Sequence, residues 1–412
     1  MTGSVFARVC KPCATSRTSA RVNSMKISPI KEMELLAGEM KDVVSLGQGT
    51  PSFPTPSHIG EFVKQKVSEG ATDKYSLGPG IPALRQAVAA KLLARNGIEA
   101  DPLQEILITV GASEALAITV LAVVDPGDEV LVMSPSYSPH LEQIRLAGGV
   151  PVYVPLREEA NWELDVDAFH SAVSPRTKAV IVATPVNPTG SIISRSALTA
   201  IAEIALQNQL YLIADETYED FVFDDHKHFS IGSIPELRDL AISIYSFSKS
   251  YALTGWRCGY VHSRAGIINQ LMKIHDAVCI CAPLTSQYAG LAALTGPQDC
   301  IRQFRHELLL RRRLIVDCLG ILPRFKFVWP QGAYYILARI AGEDDSVNYC
   351  LRLLHDAKVV LVPGTAFGPA AHNHVRISFC MSESVIKQAF DRLQQFEKGQ
   401  AKSDRMMIAN PS

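Results

Sequence analysis

Four short stretches of this chain put reactive side chains directly after apolar runs. The first is Ser246-Phe247-Ser248-Lys249, followed by Thr254-Gly255-Trp256-Arg257. A lysine at a strand end in an apolar setting can form an imine with an aldehyde cofactor. Arg257, eight residues later, offers the fork geometry that suits a phosphate, and Ser246 can add a hydroxyl to the same group. The second stretch is Tyr211–Ala214 running into Asp215-Glu216-Thr217-Tyr218. A carboxylate at the carboxyl end of a buried strand can pair with a protonated pyridine nitrogen and keep that ring an electron sink. The Tyr218 hydroxyl can reach a phenolic oxygen of the same ring, although a capped loop accounts for these residues equally well.

The third stretch is Thr184-Pro185-Val186-Asn187-Pro188-Thr189-Gly190, a rigid turn that holds the Asn187 amide where it also reaches the phenolic oxygen. The fourth is Val110-Gly111-Ala112-Ser113-Glu114-Ala115, where small residues join a strand to a helix and leave amides exposed to an anion. Other patterns fail on context. Gly78-Pro79-Gly80-Ile81-Pro82-Ala83, with Glu99 beyond it, matches a loose dinucleotide pattern, but no apolar strand precedes it. His372 and His374 have no Cys or His cluster to complete a zinc site. Cys10 and Cys13 form a C-x-x-C outside the strand–helix setting of redox motifs.

The elements that must position these side chains are legible as alternating apolar runs and helical stretches. Strands are expected at Glu105–Val110, Glu129–Met133, Val150–Val154, Ala179–Ala183, Tyr211–Ala214 and Ile242–Tyr245. Several are continuous apolar runs, the pattern of strands covered on both faces. The intervening segments, such as Glu114–Val124 and Ser194–Gln207, carry helical periodicity, so a mostly parallel sheet with helices on both sides follows. A long amphipathic helix is expected from Pro297 to about Leu319, with Pro297 in its first turn and Arg311, Arg312 and Arg313 on its solvated face. Beyond it, Phe325–Trp329, Tyr334–Ala338, Ser346–His355, Val359–Val362, His374–Phe379 and Ser382–Phe396 read as a smaller α+β domain.

Composition sets the frame. The 412 residues are 47% hydrophobic and 20% charged, the balance of a globular protein with a sizeable core. A net charge of −1 offers no field for nucleic acid or an acidic membrane, and no apolar run reaches the length of a membrane span. The nine cysteines are scattered, which fits buried thiols in a reducing compartment and a cytoplasmic location. Residues 1–31 are basic and free of acids; an organelle transit segment is the alternative to a disordered extension that precedes Met25.

Together these motifs resemble the class I/II aminotransferases of fold type I, over roughly residues 27–396. The resemblance implies pyridoxal 5'-phosphate as cofactor, with Lys249 as the Schiff-base lysine and proton shuttle. It implies that Asp215 pairs with the pyridine nitrogen, that Asn187 and Tyr218 contact the phenolic oxygen, and that Ala112, Ser113, Ser246 and Arg257 hold the phosphate. Tyr137 matches the aromatic residue that stacks on the ring, and Tyr75 the tyrosine given across a homodimer to the partner's phosphate. Arg376 matches the arginine that clamps the substrate α-carboxylate, Gly49 a backbone contact to that carboxylate, and Tyr335 an aromatic residue near the substrate. Ser52 stands where the family usually has an acid.

The implied fold is α/β, with a mostly parallel seven-stranded-type sheet sandwiched by helices and a smaller α+β domain. The expected division is a disordered extension at 1–26, small-domain segments at 27–48 and 297–396, the large domain at 49–296, and a disordered tail at 397–412. The implied reaction moves an amino group between an L-amino acid and a 2-oxo acid by ping-pong kinetics. A C–S lyase or ring-forming synthase keeps the same cofactor residues, and a cofactor-sensing regulator or a nicotinamide oxidoreductase needs features the chain lacks. Relatives that take dicarboxylates carry a cation at the Ser113 position or between Cys279 and Thr285; neither place has one, which leans toward a neutral or aromatic donor.

Overall fold

The computed structural model describes residues 17–25 and 27–409, so the Cys10–Cys13 pair lies outside the described residues. Its centre is a sheet built from the continuous apolar runs. Tyr211–Asp215 pairs in parallel with Thr177–Ala183 on one side and Ala241–Ser246 on the other. Glu129–Ser134 pairs in parallel with Thr177–Ala183 and with Val150–Arg157. Successive residues of one strand feed two separate cores. Val180, Val182 and Leu212 pack with Leu198 and Ile201 of the helix Arg195–Gln207. Ile181 and Ile213 pack on the opposite face with Leu116 and Val120 of the helix Gly111–Val123. Period-two alternation with apolar residues on both faces is what makes such a strand read as an unbroken hydrophobic run.

The central sheet has the seven strands expected, extended by an eighth. The addition is Glu163–Leu164, a two-residue antiparallel edge against Leu156 and Arg157. A strand that sequence reading missed, Gly259–His262, lies antiparallel between Ile106–Thr109 and Ala241–Ser246. The smaller unit is a four-stranded antiparallel sheet, in which Tyr335–Ile340 pairs with Phe325–Phe327 and His374–Ser378, and Val362–Pro363 pairs with the far side of His374–Ser378. The N-terminal segment joins it through Val44–Ser45, parallel to Val359–Val360.

Several expectations are corrected. The long helix runs Asp299–Gly320, so Pro297 precedes its first turn. Arg311 and Arg312 are buried, whereas Arg313 is exposed. Arg312 donates to both Asp224 carboxylate oxygens and to the Pro330 carbonyl, and Arg311 donates to Ser52 Oγ and the Cys380 carbonyl. These bonds offset part of the cost of burying each guanidinium, while the Nε of each has no hydrogen-bond partner. The tail expected to be disordered from 397 is helical to Ala409, within the helix Glu383–Ala409. Within the extension expected to be disordered, Ala20–Ser24 is helical and Ser19 accepts from the Val22 amide. No helix among the described residues is long and apolar enough to cross a membrane.

Arg312 is buried but its acid partner Asp224 is exposed, so water can replace part of what the carboxylate supplies. Asp224→Ala should therefore lower unfolding free energy by only about 1 kcal/mol, read from the denaturation midpoint, while Asp225→Ala should leave it nearly unchanged.

Candidate functional site

The reactive residues meet where the parallel strands end. Tyr211–Asp215 delivers Asp215, Ala241–Ser246 delivers Ser246 and the short helix Phe247–Ser250, and Thr177–Ala183 leads into the Asn187 turn. The carboxyl ends of parallel strands are where open α/β sheets bind ligands. Here they surround a cavity of about 330 Å³. Lys249, Asp215, Tyr218, Tyr137, Ala112, Ser113, Ser246, Arg257, Asn187, Gly49, Tyr335 and Arg376 all line it. Tyr75 does not; its side chain is 78% exposed on the surface of its own chain.

Lys249 sits at the centre. Its Nζ donates to the Gly49 carbonyl at 2.8 Å, and the same carbonyl accepts from the Tyr334 hydroxyl at 2.8 Å. Burial is the main cause that lowers the Lys249 pKa to about 8, with the Arg376 and Arg257 guanidiniums pushing the same way. The opposite happens at Asp215. Burial would raise its pKa, but hydrogen bonds from His140 and Thr217 outweigh that and hold the carboxyl below its usual range. Thr217 gives its amide at 3.1 Å and its hydroxyl at 2.6 Å to one carboxylate oxygen. His140 Nε2 lies 3.0 Å from the other oxygen, and its Nδ1 lies 3.1 Å from Ser136 Oγ. One buried site thus holds a base-prone amine and a carboxylate kept anionic.

Backbone shape makes the anion end. Gly111 opens the helix Gly111–Val123 at φ +76°, and a Cβ there would stand 2.7 Å from Arg257 Nη2. Only glycine lets the guanidinium lie this close to a helix start. Arg257 itself has φ +57° and is held by the Thr254 carbonyl at 3.0 Å. Ser246 Oγ accepts from the Ser248 amide at 3.1 Å and so caps the turn that carries Lys249.

At the other end Arg376, on the strand His374–Ser378, is 2% exposed. Its Nη1 donates to Asn187 Oδ1 at 3.0 Å and its Nη2 to the Gly47 carbonyl, while Nε is buried without a partner. Its guanidinium carbon stands 4.5 Å from the Tyr335 ring centre, and the Tyr335 hydroxyl is 2.8 Å from that of Tyr218. Asn187, expected at a phenolic oxygen, is thus engaged by Arg376 as well. Sequence reading missed His140, Thr217 and Tyr334, and also Ile30 and Glu34, which line the cavity from the helix Pro29–Gly38. His140 follows Tyr137 by three residues, and that proximity was the available signal. Ile30 and Glu34 follow a Ser28 cap at a one-turn spacing but belong to a segment remote from every motif.

Comparison with known proteins agrees with this geometry. The model of the family described as aminotransferase class I and II matches residues 41–393. An aspartate aminotransferase of Pyrococcus abyssi is 39% identical over 91% of this chain and 97% of its own length. Aromatic-amino-acid aminotransferase 2 of Thermococcus litoralis is 36% identical over 92% of this chain and 98% of its own. The solved aspartate aminotransferase of Thermus thermophilus with maleate superposes with a TM-score of 0.86 at 35% identity, covering 92% of this chain and all of that one (100%). By sequence and by fold, this chain belongs to the class I and II aminotransferases.

Proposed function

We propose that the chain uses pyridoxal 5'-phosphate in this cavity to move an amino group between an L-amino acid and a 2-oxo acid in ping-pong fashion. The observation that carries the reading is the convergence of the buried Lys249 amine, the anionic Asp215 and the Arg257 guanidinium on one cavity. The residues fit such a cofactor. The cradle at Gly111 leaves bare backbone and a guanidinium for a phosphate, and the unpartnered Arg376 Nε awaits an acceptor such as a carboxylate. When bound, the cofactor supplies an aldehyde for Lys249 and a ring that withdraws electrons from the substrate α-carbon.

The chain's own groups do the rest. Asp215 would hold a proton on the ring nitrogen. Tyr218 and Asn187 would hydrogen-bond the phenolic oxygen, and Tyr137 would offer a stacking face. The Ala112 and Ser113 amides, Ser246 and Arg257 would hold the phosphate. Arg376 clamps the α-carboxylate, with Tyr335 against its guanidinium and the Gly49 backbone beside it. Lys249, as a neutral amine, takes the α-proton and carries it a short distance across the site. Tyr75, exposed in one chain, reaches the phosphate of the partner in a cytoplasmic homodimer.

The donor class follows from charge. Among the described residues lining the cavity, the cations are Lys249, Arg257 and Arg376, and each has a role already. Glu34 adds a carboxylate, with its partner Lys31 at 3.1 Å on the exposed side of the helix. A second substrate carboxylate would meet Glu34 without a spare cation, so the reading favours neutral or aromatic donors. A relative named for aromatic amino acids supports that choice, and those named for aspartate oppose it.

Three measurements test this. Lys249→Ala should abolish the visible absorbance of the cofactor-loaded protein and lower turnover by at least about 10²–10⁴-fold; retention of both defeats the assignment. In protein stripped of cofactor, labelling of Lys249 by an amine-selective reagent should rise to half its maximum near pH 8, not near the ordinary 10.5, because the amine is protonated below that point and neutral above it. Across a donor panel with 2-oxoglutarate or pyruvate as acceptor, aromatic or neutral donors should give a higher kcat/KM than aspartate. A clear preference for aspartate overturns the donor class but leaves the aminotransferase reading intact.

A further inference from the structure

We infer that Glu114, His275 and Cys279 form a site for one zinc(II) ion behind the cofactor cavity. Glu114 lies in the first turn of the helix Gly111–Val123, and His275 and Cys279 are four residues apart on the helix Ala265–Cys279. That spacing puts the imidazole and the thiol on one helix face. Glu114 Oε1 is 2.6 Å from His275 Nδ1 and 3.2 Å from Cys279 Sγ, and Sγ is 3.4 Å from Nδ1. A point about 2.1 Å from all three atoms lies roughly 1 Å out of their plane, close to the Zn–N, Zn–O and Zn–S lengths of a tetrahedral site. The three atoms thus make one face of a tetrahedron, and water takes the fourth position.

The chemistry of the donors favours zinc over a hard cation. A thiolate, an imidazole and one carboxylate form a borderline-soft set, whereas calcium and magnesium need several oxygens. One carboxylate and one thiolate also cancel the charge of a divalent ion, at a place where His275 is buried and Glu114 and Cys279 are half-buried. Glu114 already stands ionised: burial opposes this, but hydrogen bonds from His275 and the Val110 amide hold its carboxyl below the usual range. On binding, the Cys279 S–H bond breaks, an S–Zn bond forms and that proton leaves to water, while His275 takes the tautomer with its proton on Nε2, so that Nδ1 gives up its hydrogen bond to Glu114 and is free to bind the ion.

A second cluster, Glu216, Glu219 and His228, does not compete as a metal site. The Lys91 ammonium already pairs with Glu219 and would repel an added cation, and the Asn96 amide takes the other Glu219 oxygen. At Glu114 no described cation intervenes. Glu114 Oε2 also accepts the Val110 amide at 2.5 Å, at the start of the helix whose first residues line the cofactor cavity. Bound zinc would therefore tie that helix start to the helix Ala265–Cys279.

The test uses the cofactor-loaded protein. Equilibrium dialysis against zinc(II) should retain one ion per chain, and cobalt(II) in its place should give a thiolate charge-transfer band. Zinc should raise the Tm, since an ion bound only to the folded state stabilises it. Cys279→Ser should keep basal aminotransferase activity yet lose the retained ion, the cobalt band and the zinc-dependent Tm shift. Cys281→Ser should keep all three. Wild-type protein that retains no zinc, or a Cys279→Ser variant that retains it as well as wild type does, overturns the site. Neither result bears on the aminotransferase reading.

Discussion

Everything at this site depends on keeping two buried ionisable groups in opposite habits. A carboxylate removed from water tends to take up a proton, and a buried amine tends to lose one. The fold cancels the first tendency and leaves the second. Asp215 receives two hydrogen bonds from Thr217 and one contact from His140, and this outweighs its desolvation. Lys249 receives only a carbonyl, with two guanidiniums facing it across the cavity, so its pKa falls. On the proposed reading, without the first arrangement the cofactor's ring nitrogen would have no counter-ion, and without the second Lys249 would be charged when it must be neutral.

The scaffold explains why both arrangements hold in one place. Asp215 and Ser246 end neighbouring parallel strands, so the distance between the carboxylate and the lysine turn is set by strand spacing, not by a loop. Arg376 comes from the separate antiparallel sheet and reaches across to Asn187 and Gly47. Its contacts join the two sheets through the site itself. The Lys249–Gly49–Tyr334 bonds do the same, linking the large sheet, the N-terminal segment and the smaller sheet. A ligand that reached Arg376 would therefore touch the seam between the two sheets.

Much of this was legible before any coordinates. The strands were visible because each buries both faces, and the residues after them were visible because chemistry gathers at strand ends. Eight of the twelve expected residues that line the cavity lie in the four local motifs, whereas Tyr137, Gly49, Tyr335 and Arg376 were expected only from the family resemblance. What failed was non-local. His140 matters because a helix brings it against Asp215, 75 residues away in sequence. Arg312 looked like a solvated charge because Asp224, 88 residues away, is its partner only in three dimensions. Gly259–His262 is too short, and too close to the arginine turn, to announce itself as a strand. The helix to Ala409 was lost because a polar composition reads the same in a surface helix as in a tail.

The charge pattern of the cavity carries the argument one step further, to what the enzyme can distinguish. Arg257 and Arg376 both line the cavity, so on the proposed reading a phosphate and an α-carboxylate would orient cofactor and substrate before any side chain is read. Specificity would then fall to Ile30 and Glu34, which line the cavity from the N-terminal helix. Ser28 Oγ lies 3.0 Å from Ser138 Oγ, which pins the N-terminal helix next to the stacking ring. On that reading discrimination would rest on a short helix, and chemistry on buried strand ends. A change on that helix can alter which donor is accepted without disturbing the Asp215–Lys249 arrangement on which turnover depends.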